Sequence, residues 1–209
     1  MMYEPATLES TLAIEWGVAS RALAGQPVSG DVSAVVRTAN GVVVAAVDGL
    51  GHGGEAAAAA ELAAETLRTH AEESLVEIVG QCHQALRRTR GVAISIASFD
   101  ARKGTMTWTG IGNVEGTLFR AASNALPARE ALLLRGGVVG YSLPQLRIAT
   151  LPVTRGDTLI FATDGVGAGF RHGPMPGGSA RDLAADILLR HGRELDDALV
   201  LAARYIGVS

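Results

Sequence analysis

Two aspartates in this sequence stand where an apolar run ends and glycine follows. Asp48 comes after the run VVVAAV at 42–47 and opens the segment DGLGHG, and Asp164 comes after LIFAT and opens DGVGAG. A strand would fix the position of each carboxylate, while glycine permits a positive φ and lets a ligand approach closely. Two carboxylates held in this way suit a hard divalent cation, which prefers oxygen ligands.

A third aspartate is predicted to lie beside Asp48. The strand-like runs 32–38 and 42–47 are joined at Asn40-Gly41, a strong short-range signal for a β-hairpin. This hairpin would bring Asp31 next to Asp48 at its open end. Because two like charges so close would each raise the pKa of the other, a cation between them is the simplest relief.

Two further carboxylates, Asp196 and Asp197, stand at the start of the last predicted strand. The competing interpretation is structural, because Asp-Gly is a common turn and either Asp-Gly alone is more often a turn than a ligand. Four acidic positions at strand ends, with one pair predicted to be adjacent, favour a metal centre over a set of unrelated turns.

Composition excludes several classes of function. The chain has 209 residues, a formal net charge of −3 and 48% hydrophobic residues, so it can bury one sizeable core. It shows no basic stripe for nucleic acid and no apolar run long enough for a membrane helix. A single cysteine, Cys82, excludes an intramolecular disulfide, and the N-terminus lacks the features of a secretory signal. These features predict a cytoplasmic protein that binds neither nucleic acid nor membrane.

The periodicity of apolar residues predicts grouped strands and helices rather than alternating βαβ units. The predicted helices are 55–70, 73–89 and 179–191. The predicted strands are 11–20, 32–38, 42–47, 92–99, 105–110, 114–120, 131–135, 146–151, 157–162 and 197–206. This order indicates an α+β fold with antiparallel sheets and helices packed outside a two-sheet core.

Four segments resemble, in order, the motifs of the PPM family of metal-dependent serine/threonine protein phosphatases. They are SGD (29–31), VDGLGHG (47–53), ATDGV (162–166) and DDALV (196–200), and the segments GIGNVEG and RGGVVGY are also similar. The resemblance is to the bacterial branch that includes SpoIIE and RsbX. Within this branch, the small size of the chain favours a protein similar to RsbX. It implies a single domain over 1–209 with an αββα sandwich fold.

The resemblance also implies a site with two ions, Mn²⁺ or Mg²⁺. Asp48 would bridge the ions and the carbonyl of Gly49 would add an oxygen ligand. Asp31 would complete one site, and Asp164 and Asp196 would complete the other. The implied reaction is direct attack on a phosphoserine or phosphothreonine by a water that bridges the metals.

Other roles implied by the resemblance rest on single residues. Asp197 is the alternative ligand if the last motif is shifted by one residue. In other members a histidine directly follows the first Asp-Gly, but here Leu50 stands at that position. His52, two residues later, could act as the proton donor or could simply lie in the glycine loop. Arg21 is a candidate for phosphate binding, although a solvated surface arginine is the simpler interpretation. The expected substrate is a phosphorylated STAS-domain protein of a stressosome or sigma-factor pathway.

Two alternatives remain open at this point. DGLGHG also fits the D-x-G-x-G pattern of GHKL-type ATPases, which include anti-sigma kinases, but a hairpin precedes it here instead of an asparagine-bearing helix. The second alternative is a catalytically inactive pseudophosphatase that only binds its partner, which predicts a missing ligand. The sequence leaves the oligomeric state open, a monomer included.

Overall fold

The computed structural model describes residues 13–172 and 177–207. The first two residues of the predicted strand 11–20 lie outside this range, as does most of the N-terminal stretch that predicted the absence of a signal peptide. The strand itself is present from Ile14 to Arg21.

Ten strands and three α-helices form the described part of the chain. The strands are β1 (Ile14–Arg21), β2 (Asp31–Thr38), β3 (Gly41–Gly49), β4 (Val92–Asp100), β5 (Thr105–Ile111), β6 (Glu115–Phe119), β7 (Arg129–Ala131), β8 (Ala149–Pro152), β9 (Thr158–Ala162) and β10 (Ala198–Tyr205). The helices are α1 (Gly54–Thr69), α2 (Leu75–Ala85) and α3 (Ala180–His191).

The strands form two antiparallel sheets of five strands each. The first sheet has the order β1-β10-β9-β6-β7 and the second has the order β2-β3-β4-β5-β8. All of their strand pairs are antiparallel, and the helices are grouped outside the sheets. The predicted α+β sandwich is therefore confirmed.

The alternation of side chains along β3 explains why this strand is apolar throughout. Val42, Val44 and Ala46 belong to the core between the two sheets. The intervening residues Val43 and Ala45 belong to a second core, beneath α1 and α2. Because successive side chains of a strand point to opposite faces, a strand with helices on one face and a sheet on the other must be apolar on both.

The helices complete the outer layers. α1 packs on the second sheet through alanines, which permit a close approach, and α3 covers the first sheet through a third core that includes Leu183 and Ile187. Capping boxes begin both α2, at Ser74, and α3, at Ser179. Within the described ranges, no helix is long and apolar enough to cross a membrane.

Two predicted strands differ from the structure. In place of 131–135 there is β7 at Arg129–Ala131, because the chain then leaves the first sheet and the backbone N–H of Arg135 donates to Gly110 in the second. In place of 146–151 there is β8 at Ala149–Pro152, because Arg135 occupies the position beside the end of β5 that an earlier start of β8 would need. The helix predicted at 73–89 is α2 followed by a 3₁₀ turn at Leu86–Arg88.

Candidate metal centre

The β2–β3 hairpin brings two of the predicted site residues together. Asp31 and Asp48 are direct cross-strand partners in the antiparallel ladder. The connecting turn falls at 39–40, one residue earlier than the predicted Asn40-Gly41, and Gly41 already pairs with Thr38. The predicted proximity of the two carboxylates is thus confirmed, in a register that places them opposite each other.

The first sheet delivers the remaining carboxylates to the same edge. Asp164 follows the end of β9, and Asp196 and Asp197 immediately precede β10, which pairs with β9. The negative charges of Asp164 and Asp196 both raise the pKa of Asp48, which shows that the two sets of carboxylates lie close together. Each sheet of the sandwich therefore contributes a part of one acidic cluster.

Thr163 links the two parts of the cluster. Its hydroxyl donates to Oδ2 of Asp31 over 2.7 Å, across the space between the sheets. The same hydroxyl oxygen accepts a hydrogen bond of 2.8 Å from the backbone N–H of Leu199 in β10. Thr163 is buried, and sequence reasoning missed it although it stands next to Asp164 in the quoted motif ATDGV.

Burial and mutual repulsion disfavour the ionised forms of these carboxylates. Desolvation, followed by the charges of Asp48 and other nearby aspartates, raises the pKa of Asp31 to about 8, against the lowering effect of the Thr163 bond. Desolvation and the charges of Asp164 and Asp196 raise the pKa of Asp48 to about 7. Such a cluster is ionised at neutral pH only at a free-energy cost, which a bound cation would offset.

Asn113 is a second residue that sequence reasoning missed. Its side-chain amide donates to Oδ2 of Asp164 over 2.6 Å. Hydrogen bonding by Asn113 also lowers the pKa of both Asp164 and Asp48, so the amide lies between carboxylates that come from different sheets. The sequence did contain a signal for Asn113, because the residue lies in GIGNVEG, one of the segments that resemble the family. It was missed because the segment holds no acidic residue at this position.

The two adjacent aspartates before β10 are in different environments. Asp197 is buried, and its two carboxylate oxygens accept hydrogen bonds from the backbone N–H groups of Leu23 and Gly30, at 2.7 and 2.8 Å. Asp196 is half-buried and accepts one bond, of 2.9 Å, from the N–H of Asp197. Asp197 therefore fixes the segment that leads into β2, whereas Asp196 is the more available ligand.

The glycines after Asp48 and Asp164 serve close packing rather than a positive φ. A Cβ on Gly49 would lie 2.1 Å from the carbonyl oxygen of Ala56 in α1, and one on Gly165 would lie 1.9 Å from the carbonyl oxygen of Asp197. Positive φ values occur further along the first loop, at Gly51 (93°) and Gly53 (76°). The positive φ predicted directly after each aspartate is therefore wrong, and the groups that approach these two glycines are backbone atoms of the chain itself.

The remaining candidates lie at the rim of the cluster. His52 is exposed in the glycine loop, without a hydrogen bond or ion pair to any other described residue. Arg21 donates to the backbone carbonyl of Arg193, which orients it toward the chain rather than toward the carboxylates. Arg193 is exposed, and its guanidinium lies 3.4 Å from the carbonyl oxygen of Asp164 and lowers the pKa of the Asp164 carboxyl.

The donor atoms at this edge fit a hard divalent cation. All four carboxylates of the cluster, Asp31, Asp48, Asp164 and Asp196, offer oxygen, which Mg²⁺ and Mn²⁺ prefer. Within residues 13–172 and 177–207, no three or more His, Cys, Asp or Glu side chains already converge as a closed ligand set. The fit therefore rests on the chemistry of the donors and on the unfavourable charge of Asp31 facing Asp48.

Comparison with known proteins gives a consistent result. The family model for stage II sporulation protein E (SpoIIE) matches residues 38–205. Among curated proteins, the phosphoserine phosphatase RsbX of Bacillus subtilis (strain 168) is 23% identical over 142 residues, which cover 68% of this chain and 69% of RsbX.

Solved structures share the fold. A chain from a structure of the bacterial stressosome, a modular system adapted to control secondary-messenger signalling, superposes with a TM-score of 0.84 at 31% identity, covering 91% of this chain and 99% of that one. RsbX in complex with magnesium gives a TM-score of 0.84 at 20% identity, with 95% and 98% covered. The catalytic domain of the serine/threonine phosphatase PstP with two manganese ions gives 0.61 at 16% identity, with 93% and 99% covered.

Proposed function

The chain belongs to the SpoIIE family of PP2C-type phosphatase domains, and from this premise we propose that it is a metal-dependent phosphoserine/phosphothreonine protein phosphatase of the RsbX type. The observation that carries the proposal is the meeting of Asp31 and Asp48 from one sheet with Asp164 and Asp196 from the other. The ATPase alternative does not explain why these carboxylates gather, and it finds no support in the family match.

We propose that the four carboxylates hold two divalent cations, Mn²⁺ or Mg²⁺, with the carbonyl of Gly49 as a further oxygen ligand. The chemistry that such cations supply when bound is the activation of water as a nucleophile and the neutralisation of charge on the phosphoryl oxygens. Both RsbX and PstP have been solved with such ions. We assign Asp197 to positioning the segment before β2 and not to metal binding, because its two carboxylate oxygens already accept hydrogen bonds from backbone N–H groups.

Two rim residues are assigned to the substrate. Arg193 presents its guanidinium beside Asp164 and is in ion-pair distance of no carboxylate of a described residue, so it can bind the oxygens of a phosphoryl group. His52, exposed on the loop after Asp48, can donate a proton to the seryl or threonyl oxygen that leaves. The proposed order of events begins with binding of the phosphate at Arg193. A water then attacks phosphorus in line, the bond from phosphorus to the seryl or threonyl oxygen breaks, and that leaving oxygen is protonated.

The substrate we propose is a phosphorylated STAS-domain protein. Support comes from the similarity to RsbX and to a stressosome chain, and from the rim position of Arg193 and His52, which leaves them accessible to a folded partner. A folded phosphoprotein should give a higher kcat/KM than a short peptide containing the same phosphoserine. Equal values for the two would contradict the protein-level substrate while leaving the phosphatase activity intact.

The activity is tested by hydrolysis of p-nitrophenyl phosphate and of a phosphoserine peptide with Mn²⁺, with Mg²⁺ and with EDTA. We expect turnover that requires the metal and is lost in Asp48→Asn. Absence of metal-dependent turnover in the parent protein would favour the pseudophosphatase, and calorimetric binding of ATP would favour the ATPase.

The role of Arg193 is tested by inhibition with inorganic phosphate. Arg193→Ala should weaken this inhibition about tenfold, the cost of roughly one charge-assisted hydrogen bond. Arg190→Ala is the matched control, because Arg190 is an exposed arginine of α3 that pairs with Asp186 instead. Equal inhibition of the two variants would remove Arg193 from the substrate site.

A further inference from the structure

A cavity lined by arginines lies near the loop that carries Asn113. Its volume is about 330 Å³, and its lining residues are Arg135, Gln145, Leu146 and Arg147. The two arginines and Gln145 are exposed, while Leu146 is partly buried. We refer to this space as the arginine cavity.

The strand pairing explains why the arginine cavity exists. β8 pairs with β5 only as far as Ala149, opposite Trp108. Beyond this point Arg135 takes the place beside β5, where its N–H donates to Gly110 over 3.1 Å and its carbonyl accepts from Gly112 over 2.9 Å. The residues before β8 therefore run outside Arg135 instead of beside β5, and the cavity opens between these two segments.

The wall formed by 145–147 is anchored to the core. Leu143 and Leu146 pack against the cluster of buried side chains between the second sheet and its helices. The opposite wall is fixed by the two backbone hydrogen bonds of Arg135. The backbone of both walls is thus held by packing and hydrogen bonding, so that binding of a ligand needs to order only the exposed side chains.

The charges of the arginine cavity are not compensated by the protein. Among the residues that the structure describes, no carboxylate lies within ion-pair distance of Arg135 or Arg147. Arg120, by contrast, pairs with both Glu130 and Asp157. Two unpaired guanidinium groups beside an amide match the oxygens of a carboxylate or a phosphate.

The position of the cavity relates it to the acidic cluster. Asp48 pairs with Ala93 in β4. Ala93 lies beside Gly112, the residue just after β5, and Gly112 in turn is hydrogen-bonded to Arg135. Three strand spacings of about 4.8 Å separate Asp48 from Arg135, which places the cavity roughly 15 Å from the cluster along the same edge. An extended peptide covers this distance in about four or five residues.

We propose that the arginine cavity binds an anionic side chain of the phosphoprotein substrate, about four or five residues from the phosphoserine. The group is an oxyanion, either the carboxylate of Glu or Asp or a second phosphate. This assignment rests on the proposed phosphatase function and adds a specificity determinant to it. The cavity selects substrates by charge at a position remote from the phosphoryl group that is hydrolysed.

The test compares phosphoserine peptides that carry Glu, Gln or a second phosphoserine at each of several distances from the reacting phosphoserine. The parent protein should hydrolyse the best Glu or doubly phosphorylated peptide with a kcat/KM about fivefold above that of its Gln counterpart, the size expected for exposed charge pairs. In the double variant Arg135→Ala/Arg147→Ala this ratio should fall toward one. A preference for the second phosphate alone would identify phosphate as the occupant, and an equal preference for Glu would identify any anion.

The matched control is Arg102→Ala/Arg155→Ala, which removes the same charge from exposed positions. Arg102 lies in the turn after β4, at the end of the sheet opposite Asp48, and Arg155 lies in the turn before β9. The control should keep the preference of the parent, because its charges are distant from the substrate. A parent without any preference, or a double variant that retains it, would overturn the proposal.

A binding measurement distinguishes failure of the proposed role of the arginine cavity from failure of the proposed phosphatase function. Binding of the same labelled peptides is measured by fluorescence anisotropy on Asp48→Asn protein, with and without the two arginine substitutions. If the parent hydrolyses no substrate but the acidic peptide still binds through Arg135 and Arg147, the enzymatic assignment fails and the binding site stands. If hydrolysis occurs but peptide binding is unchanged by the two arginine substitutions, the enzymatic assignment stands and the proposed binding site fails.

Discussion

Asp31 and Asp48 are directly opposite each other in the β2–β3 ladder, and Asp31 is additionally held by the hydroxyl of Thr163 from the other sheet. Like charges opposite each other destabilise a strand pair. The sequence places this unfavourable pair at the edge where two further carboxylates arrive.

The first prediction concerns the pH dependence of stability without metal. The folded pKa values of Asp31 and Asp48, about 8 and about 7, lie above the ordinary value of 3.8. The folded state therefore retains protons that the unfolded chain releases, so these groups stabilise the fold fully below pH 3.8 and lose this contribution as the pH rises toward 8. In EDTA, the melting temperature should fall between pH 5.5 and about pH 8.

Addition of Mn²⁺ should raise the melting temperature more at about pH 8 than at about pH 6, because protons compete with the metal for the same oxygens. The measurement is differential scanning fluorimetry across this range, with Ca²⁺-free buffers and EDTA as the reference. A metal-induced shift that is independent of pH would contradict the link to these carboxylates.

The second prediction is that Asp31→Asn stabilises the metal-free protein. Asparagine removes the charge that faces Asp48 and keeps a similar shape, so the melting temperature at pH 8 in EDTA should rise and its dependence on pH should weaken. The same change should abolish metal-dependent hydrolysis. Asp186→Asn, at a half-buried position of α3 beside Arg190 and away from the acidic cluster, is the control and should change neither property appreciably.

The third prediction separates the two adjacent aspartates. Asp197→Ala leaves the N–H groups of Leu23 and Gly30 without their acceptor and should cost roughly 2–5 kcal/mol of unfolding free energy. Asp196→Ala should leave the free energy of unfolding nearly unchanged. It should lower metal-dependent activity by more than about 100-fold, because substitutions of residues that only support metal ligands typically cost about 10- to 100-fold. Denaturant unfolding and initial rates distinguish the two, and the opposite pattern would exchange their roles.

The fourth prediction concerns Asn113. Its amide favours the ionised forms of Asp164 and Asp48, so Asn113→Ala should raise the pKa of both carboxyls further. Affinity for Mn²⁺ should then fall about tenfold, and by more at about pH 6.5 than at about pH 8.5. Isothermal titration calorimetry measures this, with Asn124→Ala, in an exposed loop, as the control. If Asn113→Ala weakened Mn²⁺ binding equally at both pH values, or not at all, this role of Asn113 would be excluded.

The sequence predicted those parts of the site that depend on local pairing. The hairpin turn near Asn40 was enough to place Asp31 beside Asp48, because an antiparallel register follows from the turn. The sequence also indicated the apolar strands that position Asp48 and Asp164. The one-residue difference in the turn changed only the exact partner of each residue.

Contacts between distant segments could not be predicted in this way. Thr163 reaches Asp31 only because the two sheets stack face to face. Asn113 reaches Asp164 because these residues lie just beyond the paired ends of β6 and β9, two strands that are far apart in the sequence. No local pattern encodes either contact. For the same reason the structural role of Asp197 was not visible beside Asp196. The strand predicted at 131–135 was wrong because its apolar residues serve a crossing between sheets instead of a continuous strand.

The division of the carboxylates between the two sheets has a consequence for how the protein is made. Asp31 and Asp48 leave the ribosome early, whereas Asp196 emerges only just before β10, an inner strand of the first sheet. A nascent or truncated chain therefore carries the repulsive half of the cluster without its counterpart. We therefore expect a chain that ends before β10 to lack the proposed metal centre and its hydrolytic activity.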